Sequence, residues 1–169
     1  MGIFTYLALT VSMATMYAGG AFTNDWDKPF DYRCPLSQTI SYIYSEHNNF
    51  FEDRKWEFYC RSVGETADCE QSGYVNQFDQ LLHYVCPRDK FITGIASYHD
   101  NHYEDRRFQF QCCRATGRNL TGCFMTGDAN TWDQKLTFMV PVGMVINGAY
   151  STHNNYYEDR IWRFQICYV

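Results

Sequence analysis

One hexapeptide, returning twice with small changes, constrains this chain more than any other feature. Asp53-Arg54-Lys55-Trp56-Glu57-Phe58 recurs as Asp105-Arg106-Arg107-Phe108-Gln109-Phe110 and again as Asp159-Arg160-Ile161-Trp162-Arg163-Phe164, in steps of 52 and 54 residues (53 to 105, 105 to 159). The match runs upstream without a gap. Ile40, Ile92 and Ile146 align, then Ser45, Ser97 and Ser151, His47, His99 and His153, Asn49, Asn101 and Asn155, and Glu52, Glu104 and Glu158. Farther back, Pro35, Pro87 and Pro141 share one position, and Asp27, Asp79 and Asp133 share another, preceded by Trp26, Phe78 and Trp132. The chain therefore holds three tandem units, approximately 26–60, 78–113 and 132–167. A unit of this length cannot cover its own inner face, so the copies must close around a shared interior.

Each unit reads as strands. Trp56, Phe58 and Cys60 fall on one face and Lys55, Glu57 and Tyr59 on the other, the two-residue period of a half-buried antiparallel strand. Ile40-Ser41-Tyr42-Ile43 supplies a preceding strand, Tyr32 to Cys34 an earlier one, and His47 to Glu52 a turn-rich hairpin loop. The 14 Tyr, 13 Phe and 4 Trp also favour strands over helices. The expected fold is all-β: three strand-hairpin repeats of three or four strands each, in one pseudo-threefold domain over 21–169. A β-prism is preferred to a β-trefoil, with an ordinary sandwich as the further alternative.

The cysteines point to export. Met1 to Gly20 carries no charged side chain, Ile3 to Met16 is mostly apolar and Ala18 to Ala21 supply small residues for a cleavage site, so 1–20 reads as a signal peptide. All eight Cys lie beyond it, an even number suited to four bridges in an oxidising compartment. No C-x-x-C pair suggests structural zinc. Repeat logic pairs Cys34 with Cys60 and places Cys86 near Cys112 or Cys113. Those neighbours point to opposite faces of a strand and must reach different partners. Val140 stands where the third unit would have its Cys, so Cys167 seeks Cys123 or Cys69. Asn119-Leu120-Thr121 is a glycosylation sequon. The net charge of -5, without a basic stripe, argues against nucleic-acid binding.

The thrice-repeated Asp-Arg-x-Trp-x-Phe motif, a Cys after its strand and the Cys112-Cys113 pair resemble the dermatopontin family over nearly the whole mature chain. That resemblance implies a secreted extracellular protein with bridges Cys34–Cys60, Cys69–Cys112, Cys86–Cys113 and Cys123–Cys167. Lacking counterparts of the fifth bridge and the Tyr-rich N-terminal segment of vertebrate members, the chain looks most like the invertebrate haemagglutinin/amebocyte aggregation factor branch. The implied partners are cell-surface or matrix glycans, proteoglycan or collagen, with a homo-oligomer allowed.

Two sets of repeated residues are candidates for function. Asp53, Arg54 and Trp56, with Asp105, Arg106 and Phe108 and with Asp159, Arg160 and Trp162, read as a structural motif in which Arg pairs with Asp of its own or a neighbouring unit and stacks on the aromatic ring. The loops His47-Asn48-Asn49, His99-Asp100-Asn101 and His153-Asn154-Asn155, with Tyr156, are the expected carbohydrate-binding residues. They offer fixed donors and acceptors beside flat rings, and three weak sites gain avidity. Three equivalent His can converge on an axis, but the loops lack the carboxylate spacing of a calcium site, so no metal or cofactor is assigned. The Glu-Asp pairs 52–53, 104–105 and 158–159 are copied three times beside an Arg, which suits ion pairing rather than a unique acid/base pair, so no enzyme is expected. The leading expectation is a multivalent lectin-like agglutinin. The alternatives are a structural matrix protein binding proteoglycan, collagen or mineral and, behind it, a membrane-active cytotoxin.

Overall fold

A computed structural model describes residues 21–169, so the expected signal peptide, 1–20, lies outside the described residues. Eleven strands and no helix occur among the described residues. In chain order they are β1 (Phe30–Arg33), β2 (Gln38–Asn48), β3 (Asp53–Ser62), β4 (Thr66–Gln71), β5 (Leu82–Val85), β6 (Lys90–Asp100), β7 (Asp105–Ala115), β8 (Thr121–Met125), β9 (Leu136–Met139), β10 (Met144–Asn154) and β11 (Asp159–Tyr168). Every unit has a short strand followed by a long hairpin, and the first two add a second short strand. Alternation sets the faces. In β3 Trp56 and Phe58 are buried, whereas Lys55 and Glu57 are only partly covered and Tyr59 is exposed.

The strands form three sheets, ordered β1-β6-β7-β4, β5-β10-β11-β8 and β3-β2-β9. No short leading strand pairs within its own unit. β1 of the first unit pairs with β6 of the second, β5 of the second with β10 of the third, and β9 of the third with β2 of the first. The exchange is cyclic and interlocks the units. A bulge falls at the same place in each long hairpin, between Ile40 and Tyr42, Ile92 and Gly94, and Ile146 and Gly148. One extra residue there increases local twist and lets Ile40 and Ile43, three residues apart, both turn inward.

One apolar core runs between the sheets and draws on all three units. At its centre the repeated aromatic positions meet edge to face. Trp56, Phe108 and Trp162 have centroid separations of 6.0, 4.9 and 5.4 Å and interplanar angles of 78, 81 and 83°, an arrangement aromatic quadrupoles favour.

All eight cysteines are bridged, but two of the pairings drawn from the family resemblance are exchanged. The bridges are Cys34–Cys60, Cys86–Cys112, Cys69–Cys113 and Cys123–Cys167. Cys69 thus joins Cys113 rather than Cys112, and Cys86 joins Cys112 rather than Cys113. The strand face decides this. Cys112 continues the inward row Phe108–Phe110 and lies in the main core with Cys86. Cys113 faces the other way and meets Cys69 on the adjacent strand β4.

Candidate functional site

The repeated Asp-Arg dipeptides open β3, β7 and β11 and close on one another in a ring. Arg54 donates from Nε and Nη2 to Asp159 at 2.6 and 2.7 Å. Arg106 does the same to Asp53 at 2.6 and 2.7 Å, and Arg160 to Asp105 at 2.7 and 2.6 Å. Each pair is bidentate and buried, and each joins different units. The second Nη2 bond of each Arg goes to a backbone carbonyl, of Gln134, Lys28 and Gln80 respectively. The pairing with a neighbouring unit agrees with the sequence reading. The stacking partner differs: Arg106 lies over Phe30, with its guanidinium carbon 5.8 Å from the ring centroid. The Asp of every Glu-Asp pair is occupied by an Arg fork.

Above the aromatic triad this ring borders a cavity of about 20 Å3, lined also by His47, His99, His153, Glu52, Glu104 and Glu158. The histidines are therefore not loop residues. β2, β6 and β10 extend through Asn48, Asp100 and Asn154, and the alternation Ile43-Ser45-His47 carries each imidazole inward. Their side chains are 1, 0 and 1% exposed, which removes them as direct contacts for a sugar on the surface. Each sits between carboxylates. His99 Nδ1 is 3.7 Å from Asp27 and Nε2 3.6 Å from Glu104. His153 is 3.6 Å from Asp79, 3.9 Å from Asp105 and 3.6 Å from Glu158. His47 is 3.7 Å from Asp133 and 3.5 Å from Asp159.

Crowding of acids under partial burial shifts their protonation. Burial, then the charges of Glu52, Asp79, Glu104 and Asp105, push the Glu158 carboxyl up to about 7. Burial also raises Glu104, with Glu52, Asp27 and Asp53 adding to the rise and His99 opposing it. Burial pushes the His47 imidazole below its ordinary value, against the pull of Asp159 and Asp133. All six of Glu52, Glu104, Glu158, Asp27, Asp79 and Asp133 hold a positive φ, between 44 and 61°. Such backbone strain in non-glycine residues gathers at functional sites.

Outside this cluster the hairpin tips carry a second repeated arrangement. The side chains of Asn48, Asp100 and Asn154 accept backbone N–H groups of Phe50, His102 and Tyr156, each at 2.9 Å. They shape the turns. Asn49, Asn101 and Asn155 are exposed at the tips. Beside them, one ring stacks on the aromatic residue that precedes the repeated Asp27, Asp79 or Asp133. Phe51 lies on Trp26, Tyr103 on Phe78 and Tyr157 on Trp132, within 8° of parallel. Phe50, His102 and Tyr156 then stand edge-on to that ring, at 78 to 88°. Phe50 and Tyr156 are 87 and 86% exposed. Every tip is thus an aromatic corner beside an asparagine amide.

Sequence reasoning passed over Asn24, Asn76 and Asn130. Each is buried and acts as a strand surrogate, accepting from the N–H of Trp56, Phe108 or Trp162 and donating to the carbonyl of Arg54, Arg106 or Arg160. The same 52- and 54-residue steps relate them (24 to 76, 76 to 130), so the signal was present in the repeat. Asn119 is exposed in the loop before β8. No helix among the described residues is long and apolar enough to cross a membrane.

Residues 24–169 match the family model Dermatopontin. The chain is 44% identical to a dermatopontin of Biomphalaria glabrata, over 87% of this chain and 99% of that protein. It is 39% identical to the hemagglutinin/amebocyte aggregation factor of Limulus polyphemus, over 93 and 92%. It is 38% identical to Millepora cytotoxin-1 of Millepora dichotoma, over 85% of this chain and 65% of that one. No solved structure matches the chain.

Proposed function

This chain belongs to the dermatopontin family, and from that membership we propose that it is a secreted, multivalent adhesion protein that agglutinates cells by binding their surface carbohydrate, without catalysing a reaction. The observation that carries the reading is the exposed aromatic corner, repeated at all three hairpin tips with Asn49, Asn101 or Asn155 alongside. Flat apolar faces take the C–H face of a sugar ring, and a fixed amide supplies direction to its hydroxyls. The residues flanking the tips, His47 and Glu52, His99 and Glu104, and His153 and Glu158, all line one cavity, which supports tips that engage the same surface together, and avidity multiplies weak single-site binding. Four bridges suit an oxidising extracellular setting, and the exposed Asn119 is the proposed glycan attachment point. The similarity to an aggregation factor supports the same reading.

Haemagglutination with competing sugars, joined to a glycan array, tests this. Clumping inhibited by a defined saccharide is expected, with loss of array signal in Phe50→Ala/Tyr156→Ala. No clumping and no array signal would remove the proposal. Retention on decellularised matrix that no sugar inhibits would favour the matrix-protein reading, and leakage from liposomes the cytotoxin.

A further inference from the structure

The histidine–carboxylate junctions between units have the makings of a metal site. In one, His99 of the second unit faces Asp27 and Asp53 of the first. In the next, His153 of the third unit faces Asp79 and Asp105 of the second. Within each set the ligand atoms lie within 4.8 Å of one another. Both ring nitrogens of His99 and of His153 are buried without a hydrogen-bond partner, as are Asp27 Oδ1 and Asp79 Oδ1. Within these sets His99 Nδ1 stands 3.7 Å from Asp27 and His153 Nδ1 3.6 Å from Asp79. A charged imidazole hydrogen-bonded to a carboxylate would draw it to about 2.7–2.9 Å. Two donors that share a zinc ion, each roughly 2.0–2.2 Å from it, stand roughly 3.3–3.6 Å apart.

Charge leads the same way. At each junction two Asp and one Glu face a single Arg. Even with that Glu protonated, one Asp carboxylate at each junction has no Arg of its own in a largely buried space. A buried carboxylate without a cationic partner calls for a counter-ion, and a cation held between the two Asp and the imidazole supplies one. One imidazole nitrogen with carboxylate oxygens suits a borderline ion such as Zn2+. Ca2+ takes six to eight oxygens.

We propose that His99 with Asp27 and Asp53, and His153 with Asp79 and Asp105, each bind one Zn2+ ion that ties adjacent repeats together beneath the hairpin tips. At the third junction the ring is reversed, with Nε2 toward Asp133 and Nδ1 toward Asp159, and no ion is assigned there. The ion cross-links units whose other ties include strand exchange and the Asp–Arg ring. This inference does not depend on carbohydrate binding.

The test uses the full mature chain, stripped with chelator, reloaded with Zn2+ and passed through gel filtration. Elemental analysis is expected to find two zinc ions per chain. A hundredfold excess over Kd is expected to raise the melting temperature by roughly 5–10 °C per site. Asp27→Asn should lose one ion, and Asp27→Asn with Asp79→Asn both. These variants fold, because asparagine accepts the left-handed backbone at φ 60 and 58° and Asp27 and Asp79 contribute only their backbone N–H to the Asp53 and Asp105 carboxylates. Unchanged zinc content in the double variant overturns the assignment. So does no zinc retained by the parent chain, or tighter binding of Ca2+ or Mg2+ than of Zn2+.

Discussion

At the scale of single residues, the Asp–Arg ring and the tip residues make opposite demands. Arg106 holds Asp53 out of water through two short bonds. Arg106→Met would leave that carboxylate buried and unopposed, at a cost of about 3–5 kcal/mol. Arg106→Lys keeps the charge but loses the fork and is expected to cost less. Urea unfolding of the two variants checks the order. Tyr156, by contrast, is 86% exposed, so Tyr156→Ala should move the melting temperature by no more than about 2 °C while weakening glycan binding. A large fall in stability, or unchanged binding, would remove Tyr156 from the proposed site. Glu158 links stability to pH. Between its ordinary value, about 4.3, and about 7, the folded chain keeps a proton on Glu158 that the unfolded chain has released. Stability from this group therefore falls as pH rises through that window and stays low above it. His47, pushed downward, acts oppositely: the unfolded chain binds its proton first, so stability rises as pH climbs toward 6.5. His153 and Arg160 also border Glu158 and stay in place in the variant. With chelator present, Glu158→Gln should raise the melting temperature at pH 8 and flatten the decline between pH 4.5 and 7. Parallel curves for the two proteins would contradict this.

At the scale of elements, the triad of Trp56, Phe108 and Trp162 joins β3, β7 and β11. Trp56→Ala should cost about 3–5 kcal/mol through lost contacts and an unfilled cavity. Trp56→Phe should cost about 1.5 kcal/mol or less, since Phe108 already fills the matching place in the second unit. Calorimetry distinguishes them, and equal losses would mean the rings do not pack as one triad. Asn24 shows how a side chain can serve as a strand. It satisfies the buried N–H of Trp56 and receives no compensation if shortened. Asn24→Ala is therefore expected to cost about 2–3 kcal/mol, more than its polar side chain would suggest in sequence.

At the scale of the molecule, cyclic strand exchange makes the units interdependent. Removing one short strand, for example β9, leaves β2 of the first unit without its outer neighbour. Because residues flanking all three tips line one cavity, a lone chain would present its proposed sites to one surface. Bridging two cells then requires a second copy. Chains held monomeric at high dilution are expected to block agglutination rather than cause it, which concentration-dependent haemagglutination with parallel sedimentation would detect. Strong clumping by a monodisperse monomer would refute the one-sided arrangement.

Much of this was already written in the repeat. The motif steps fixed three units, the alternation in β3 fixed which residues turn inward, and the steps relate the bridges: Cys34–Cys60 maps onto Cys86–Cys112, and Cys69–Cys113 onto Cys123–Cys167. The same alternation, carried past Ile43 to Ser45 and His47, would have turned the histidines inward, but the strand was expected to end before them. Local pattern decides a face because successive side chains on a strand point in opposite directions. Which unit each Arg grips, which strand each hairpin borrows and which acids surround each His depend on chain segments about 50 to 105 residues apart. Those partners are chosen by how three sheets close together, and no local propensity encodes that choice.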